Sequence, residues 1–236
     1  MNKSDTDIQR EYYEKTALDY DQSHLDSDAE HIMALGWLTS IVESQGYESI
    51  LDIGSGTGRV LRHFKGRFDT HVVGIEPVEA LRHQGHKMGL SGDELVDGNA
   101  LALDIQDNAF DIVCEFAVLH HIKDHKQAVS EMCRVAKKAV FLSDSNNFGQ
   151  GAFLKRTVKQ AINSVGLWKA YDFLATRGKG YHFSEGDGLY YSYSVFNDIP
   201  ILKQKFLDVH LMSTQPSGSN LYRSAPHLAV YATNPR

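Results

Sequence analysis

The sequence contains only two cysteines among its 236 residues. Both lie in apolar patterns, Cys114 inside FDIVCEF and Cys133 inside AVSEMCRVA. Cysteines in such surroundings are typical of buried thiols that pack like small hydrophobic side chains. We therefore expect neither a disulfide bond nor a reactive thiol.

Positive charge is also scarce. Lysine and arginine number 24 against 30 aspartates and glutamates, which gives a formal net charge of -6. A protein that coats nucleic acid usually needs a basic face to neutralise phosphates, so that class is disfavoured. Internal repeats and low-complexity tracts are missing too. With 42% hydrophobic and 23% charged residues, the composition is typical of a folded protein with one large domain.

The chain has no long hydrophobic run. None approaches the roughly 20 consecutive apolar residues that cross a bilayer as a helix. The opening stretch, MNKSDTDIQREYYEK, is too polar for a secretory signal. We therefore expect no membrane span and a cytoplasmic location.

Apolar strand-like runs do alternate with helical segments through the central part of the chain. The runs are SILDI, THVVGIE, DELVDG, FDIVCEF and AVFLSD. This alternation is typical of repeated βαβ units around a parallel sheet that is covered on both faces. Towards the C-terminus, FLDVHLMS and HLAVYATN predict an antiparallel pair. The expected fold is α/β and Rossmann-like, with a seven-stranded, mostly parallel sheet, helices on both faces and a C-terminal antiparallel hairpin.

We predict a single domain over residues 1–236 with two additions to this alternating core. Apolar residues at helical spacing predict leading helices at about 5–46. The block at about 149–193 breaks the alternation and combines a predicted helix, Ala152 to Val165, with many aromatic residues. We call this block the cap. We expect it to lie over the carboxyl ends of the strands, where open α/β sheets bind their ligands.

The stretch DIGSGTG, from Asp52 to Gly58, follows the first predicted strand. Its glycines allow positive φ angles and let backbone N–H groups approach a ligand. A dinucleotide fingerprint, GxGxxG, requires a glycine at the position that Arg59 occupies. Glu76 ends the second predicted strand, 22 positions after Gly54, where an acid accepts the hydroxyls of a ribose. This combination favours S-adenosylmethionine, which has a ribose but no pyrophosphate.

Several motifs occur in the order found in one enzyme family: ILDIGSGTG, GIEP, DGNALALDIQDNAFDIV, FAVLHHI and EMCRVAKKAVFLSD. From about Tyr12 to Val140 the sequence resembles the class I S-adenosylmethionine-dependent methyltransferases, especially the small-molecule group that contains the ubiquinone-type enzymes. Two positions depart from the family pattern. Asn99 replaces the aspartate that commonly faces the adenine, although its amide oxygen still accepts from an adenine N–H. Lys137-Lys138 replaces the usual Pro-Gly-Gly turn before the fifth strand and predicts a shorter connection.

This resemblance implies an enzyme that transfers a methyl group from S-adenosyl-L-methionine to a small-molecule acceptor. It places Asp52 near the methionyl ammonium, Glu76 at the ribose and Asn99 at the adenine. The alternative for both acids is a helix-capping role. The expected cofactor-binding residues are Tyr20, Asp52, Gly54, Ser55, Gly56, Gly58, Glu76, Pro77, Asn99, Ala100 and Phe116.

His120 and His121 follow the fourth predicted strand and face the expected position of the transferable methyl group. If the acceptor is a hydroxyl, a histidine with a near-neutral pKa suits removal of its proton. We expect both residues to be catalytic, with His120 preferred as the base; the alternative is a structural hydrogen bond at a strand-to-helix corner. His121 and His125 have an i, i+4 spacing that resembles a metal site, but Asp124 between them would point elsewhere on a helix. No third ligand is evident, and we predict no metal.

Basic residues are concentrated between Gly151 and Gly180, against one acid, Asp172: Lys155, Arg156, Lys159, Lys169, Arg177 and Lys179. Such a segment would attract an anionic or carrier-linked acceptor. The alternative is a solvated helix face. Asp144, Asn146 and Asn147, after the fifth strand, either face the acceptor or form a turn.

The sequence therefore favours methyl transfer to a small molecule, with oxygen as the accepting atom, and no nucleic-acid partner. It leaves the oligomeric state open. Two competing functions remain: an NAD-dependent oxidoreductase on a similar sheet, and an S-adenosylmethionine-binding protein without turnover. Arg59 and the adenine-side motif disfavour the first of these.

Overall fold

The computed structural model describes residues 4–18, 20–21, 29–67, 69–215 and 220–236. We name its helices α1 (Asp5–Thr16), α2 (Ala29–Gln45), α3 (Arg59–Phe64), α4 (Glu79–Lys87), α5 (His125–Val135), α6 (Phe153–Ser164), α7 (Trp168–Ala175) and α8 (Ile199–Lys205). Short 3-10 helices cover Leu119–His121 and Val195–Asn197. The strands are β1 (Ser49–Ile53), β2 (His71–Ile75), β3 (Leu95–Val96), β4 (Phe110–Phe116), β5 (Ala136–Ser145), β6 (His182–Ser184), β7 (Gly188–Tyr190), β8 (Phe206–Ser213) and β9 (His227–Pro235).

Seven of these strands form one sheet in the order β3-β2-β1-β4-β5-β9-β8. Strands β1 to β5 pair in parallel, whereas β9 pairs antiparallel with both β5 and β8. The predicted fold class is confirmed, including the C-terminal antiparallel pair. Chain order reverses between β1 and β4, so a crevice opens at the carboxyl ends of these two strands.

The central strands are buried on both faces, which is why SILDI and FDIVCEF read as nearly continuous apolar runs. Successive residues alternate between the two core layers. Leu51 and Val113 pack in the layer that includes α5, whereas Ile50 and Ile112 pack in the layer that includes α2 and α3. Both cysteines are buried free thiols, as predicted.

Several locally predicted elements can be located in the structure. The helices α1 and α2 lie within the predicted leading segment, although positions 19 and 22–28 are outside the described residues. The first helix of the cap, α6, matches the predicted helix within one residue at each end. α5 passes directly into β5 at Ala136, so the connection at Lys137-Lys138 is indeed shorter than a Pro-Gly-Gly turn. Among the described residues, no helix is both long and apolar enough to cross a membrane.

Candidate active site

The glycine loop turns tightly over the end of β2. The backbone N–H groups of Gly54 and Ser55 donate to the carbonyl oxygen of Ile75, at 2.7 and 3.0 Å. Gly54 has a φ of 68°, and a Cβ built there would lie 2.5 Å from the side chain of Val118. A side chain at this position is therefore excluded both by backbone strain and by lack of space.

Glu76 holds this loop from the end of β2. One carboxylate oxygen accepts from Gly56 N at 2.9 Å, and the other accepts from Val78 N at 2.8 Å. The residue is only 5% exposed, and burial raises the pKa of its carboxyl to about 7. The helix-capping alternative for Glu76 is not met, because α4 begins at Glu79 and its N-cap is Val78, without a side-chain cap. The two backbone contacts leave a second lone pair on each carboxylate oxygen for a ligand.

Asp52 lies at the end of β1 in a small pocket that adjoins Gly54, Ser55 and Arg59. It is buried, and burial raises the pKa of its carboxyl to about 7. Its Oδ1 lies 3.6 Å from the thiol of Cys114, and the side chain caps no helix among the described residues. The guanidinium of Arg59 is nearby, and its buried Nη1 has no hydrogen-bond partner among the described residues.

This donor and acceptor set fits an S-adenosylmethionine tail and ribose. Buried carboxyls at Asp52 and Glu76 suit the ammonium and the ribose hydroxyls, and the unpartnered Arg59 Nη1 suits the methionyl carboxylate. Tyr20 lies so close to Gly56 that a Cβ there would be 3.0 Å from its ring. On the adenine side, Asn99 is exposed and its Oδ1 accepts from Leu101 N at 2.9 Å.

A single large cavity of about 1540 Å³ extends from this cofactor end. That volume exceeds the roughly 300–1,000 Å³ of ordinary ligand sites and leaves space for two reactants. The predicted cofactor residues that line it are Tyr20, Gly54, Glu76, Pro77, Asn99, Ala100 and Phe116. Asp52 and Ser55 line the adjoining pocket. Gly56 and Gly58 line neither the cavity nor the adjoining pocket. Gly58 is instead the N-cap of α3 and packs against Leu90.

His120 lies in the 3-10 helix after β4 and lines the same cavity. Its Nδ1 is 2.7 Å from Asp144 Oδ1, and its Nε2 is 3.4 Å from Asp187 Oδ2. Burial disfavours the charged imidazolium, but the two carboxylates outweigh that effect and raise the pKa of His120 to about 10. His120 is therefore protonated at neutral pH, and this arrangement does not offer it as a base.

His121 has a different protonation. Its Nδ1 lies 2.6 Å from the carbonyl oxygen of Leu189, which only accepts, so this nitrogen carries the hydrogen. Its Nε2 lies 3.1 Å from the Tyr13 hydroxyl and 3.4 Å from Asp187 Oδ1. Burial and the neighbouring His120 charge lower the pKa of His121. His121 is thus neutral, and its unprotonated Nε2 is directed at the carboxylate of Asp187, which also faces His120.

Sequence reasoning did not identify Asp187 or Asp144 as partners of the histidine pair. Asp187 lies in the turn between β6 and β7, and nothing in its local sequence distinguishes it from an ordinary turn residue. The sequence predicts Asp144 after the fifth strand, facing an acceptor or forming a turn. The structure places it inside β5, fully buried against His120.

Other predicted residues have structural contacts. Asn146 is fully buried, and its Nδ2 donates to backbone oxygens of Leu221, Tyr222 and Ala225. His125 pairs with Asp198 at 2.8 Å rather than with His121. From the cap, aromatic side chains line the cavity: Trp168, Tyr171, Tyr190, Tyr191 and Tyr193. Lys159 also lines it and donates to Asn147, while Lys155, Lys169, Arg177 and Lys179 are exposed.

The sheet order, the glycine loop and the acid at the end of β2 define a class I S-adenosylmethionine-dependent methyltransferase domain. Residues 51–143 match the methyltransferase domain family. Over these residues the chain contains a methyltransferase domain, and it is similar in sequence and fold to S-adenosylmethionine-dependent methyltransferases. The predicted family and cofactor are confirmed at this level.

Two curated relatives are similar over part of their length. An uncharacterised methyltransferase of Bacillus subtilis is 30% identical over 109 residues, which cover 44% of this chain and 42% of the relative. A demethylmenaquinone methyltransferase of Shouchella clausii is 34% identical over 103 residues, covering 41% and 43%. The chain thus spans less than half the length of these relatives.

Solved structures resemble the chain over more of its length. A methyltransferase of Thermotoga maritima has a TM-score of 0.58 at 17% identity, covering 94% of this chain and 98% of the other. A phosphoethanolamine N-methyltransferase of Haemonchus contortus has a TM-score of 0.63 at 14% identity, covering 100% and 61%. At these identities the likeness shows a shared fold.

Proposed function

We propose that the protein transfers the methyl group of S-adenosylmethionine to a small-molecule acceptor, with oxygen as the accepting atom. The observation that carries this proposal is the single cavity that joins the Glu76 end to the His120–His121 end. Two reactants can meet there without crossing the protein. In-line displacement at a sulfonium carbon depends mainly on such positioning.

At the cofactor end, we assign the binding of the donor to the predicted residues around Asp52 and Glu76. Bound S-adenosylmethionine supplies a methyl group already activated by positive sulfur. Asp52 would bind the ammonium, Arg59 the carboxylate, and Glu76 the ribose hydroxyls. Asn99 and Ala100 would border the adenine.

At the acceptor end, we propose that His120 and His121 contact the acceptor together with Asp187. Aromatic side chains of the cap favour an acceptor with an apolar or ring-shaped body. Similar proteins include a demethylmenaquinone methyltransferase and an N-methyltransferase solved with phosphomonomethylethanolamine, so their ligands differ widely. For this protein we propose a small molecule with a nucleophilic oxygen and a body that packs on aromatic rings.

Incubation with methyl-labelled S-adenosylmethionine and a small-molecule cell extract tests this function. We expect label in an organic product and formation of S-adenosylhomocysteine. A cofactor-binding protein without turnover would bind S-adenosylhomocysteine yet transfer no label. An NAD-dependent oxidoreductase would instead bind NADH in calorimetry and show no affinity for S-adenosylhomocysteine.

Cofactor affinity is expected to depend on pH through Asp52 and Glu76. Burial raises the pKa of both carboxyls to about 7, while ammonium and hydroxyl ligands prefer the ionised forms. S-adenosylhomocysteine should therefore bind at least about tenfold more tightly at about pH 8.5 than at about pH 5.5. The unliganded protein should lose stability as the pH rises from about 4 to about 7, because the unfolded chain ionises these carboxyls first.

Calorimetric titrations of S-adenosylhomocysteine across this range measure the first effect, and thermal unfolding measures the second. Glu76→Gln should reduce the pH dependence of the affinity, since it removes one of the two ionising groups. An affinity that stays constant across the range would contradict the assignment of these carboxyls to the cofactor.

A further inference from the structure

Three metal-binding side chains converge at the acceptor end of the cavity. The ligand atoms of His120, His121 and Asp187 all lie within 4.8 Å of one another. We propose that this cluster binds a divalent cation of the zinc type, which holds the accepting oxygen of the substrate. The inference rests on the proposed function and specifies how its acceptor is bound and activated.

The spacing of the cluster suits such an ion. Each of the two imidazole Nε2 atoms, on His120 and His121, lies 3.4 Å from a different oxygen of Asp187. Ligands about 2.0–2.1 Å from a tetrahedral zinc ion are separated by about 3.4 Å. The distances from the two imidazole nitrogens to Asp187 therefore match the edge length of a coordination tetrahedron, and the whole set lies within 4.8 Å.

The hydrogen bonds behind the cluster also match those of metal-binding histidines. Such histidines usually donate the other ring N–H to a carboxylate or a backbone carbonyl, which aims the free nitrogen at the metal. His120 Nδ1 lies 2.7 Å from Asp144, and His121 Nδ1 lies 2.6 Å from the carbonyl oxygen of Leu189. Both orienting partners are thus present, one for each histidine.

The local charge is complementary to a divalent ion. With His120 neutral, the carboxylates of Asp144 and Asp187 contribute two negative charges, which match an ion of charge two. The ion would take the place of the hydrogen on His120 Nε2, the ring nitrogen that faces Asp187 Oδ2. The Tyr13 hydroxyl, 3.1 Å from His121 Nε2, must turn aside to free that nitrogen.

Three protein ligands leave one tetrahedral position open, as in catalytic rather than structural zinc sites. This open position faces the cavity, which the predicted cofactor-binding residues also line. A hydroxyl bound there becomes more acidic and loses its proton to water. An oxygen lone pair then forms the O–C bond, the C–S bond breaks with its electron pair going to sulfur, and S-adenosylhomocysteine leaves.

Metal titration of the full chain tests this site. Co²⁺ followed by visible absorption and Zn²⁺ followed by calorimetry should each show one site per chain. Asp187→Ala should weaken both at least about tenfold, the lower end of the loss seen when a metal site is disturbed. Glu185→Ala is the matched control, because this exposed acid lies in the same turn and should leave binding unchanged.

Asp187→Asn keeps the shape and the hydrogen-bonding oxygen but removes the anionic ligand, so it should also weaken binding. Asp187→Asn replaces Asp187→Ala in this test if the alanine variant misfolds. The absence of a Co²⁺ or Zn²⁺ site in the parent chain, or an affinity in both Asp187 variants equal to that of the parent chain, would overturn the proposal and leave a simple ion pair. Binding of S-adenosylhomocysteine, measured separately, shows whether the proposed function itself holds.

Discussion

Replacing Glu76 with alanine is expected to weaken the binding of S-adenosylhomocysteine by about 100-fold or more. The carboxylate is expected to accept charge-assisted hydrogen bonds from the ribose, worth about 1.5–3 kcal/mol each. It also holds Gly56 N at 2.9 Å, so its loss releases the loop that forms the cofactor end. A 100-fold change corresponds to about 2.7 kcal/mol. Calorimetric titration of the purified variant measures the effect.

Glu79→Ala is the matched control for this experiment. Glu79 is an exposed acid in the first turn of α4, only three positions away, and should leave the affinity unchanged. Glu76→Gln should not restore binding, since its amide N–H would face one of the two backbone donors that the carboxylate accepts. If the alanine variant keeps its fold and its affinity, the ribose is bound elsewhere.

Replacing Asp144 with alanine is expected to lower the free energy of unfolding by about 3 kcal/mol. Removing one partner of a buried ion pair costs about 3–5 kcal/mol, because the other charge stays buried. Asp144 is fully buried, and it accepts from both the ring Nδ1 and the backbone N of His120. We place the loss at the lower end of that range, since Asp187 still faces the imidazolium. Urea unfolding followed by circular dichroism measures it.

Asp208→Ala provides the comparison, because Asp208 is an exposed acid on β8 and should cost at most about 0.5 kcal/mol. The loss of unfolding free energy in Asp144→Asn should fall between those of Asp144→Ala and Asp208→Ala, since the amide oxygen still accepts a hydrogen bond but the charge is gone. A loss at Asp144 no larger than that at Asp208 would show that the ion pair with His120 contributes nothing to stability.

The sheet was predictable because its signals are local. A strand buried on both faces needs a short apolar run, so SILDI and FDIVCEF marked β1 and β4 directly. β3 was harder: DELVDG predicted a strand, but only Leu95–Val96 pairs. β5 begins at Ala136 rather than at Ala139, because Ala136 still pairs with Phe110 of β4 across a register shift.

The cofactor end of the site was predictable for a similar reason. A tight turn needs glycines at fixed offsets, and the acid at the end of β2 sits at a fixed spacing from them. Gly54 and Glu76 therefore lie where the sequence placed them, across the loop from each other. In the sequence, Arg59 only argues against a dinucleotide. The buried position of its Nη1, which has no hydrogen-bond partner among the described residues, depends on the folded structure.

The acceptor end was only half predictable. The sequence marked His120 and His121, and helical spacing suggested His121 with His125 as the only metal-like pair. Asp187 follows 66 positions after His121, and its approach depends on how the cap packs on the crevice. No periodicity or motif reports a contact over that separation.

The amino-acid sequence by itself determined the layered α/β architecture and the glycine loop with its acidic partner, because period, turn chemistry and short spacings act between near neighbours. Only the tertiary structure decided that His120 is charged, that His121 is neutral, and that both face Asp187. Those properties depend on burial and on distances through space, where a carboxylate 2.7 Å away outweighs the cost of burying an imidazolium.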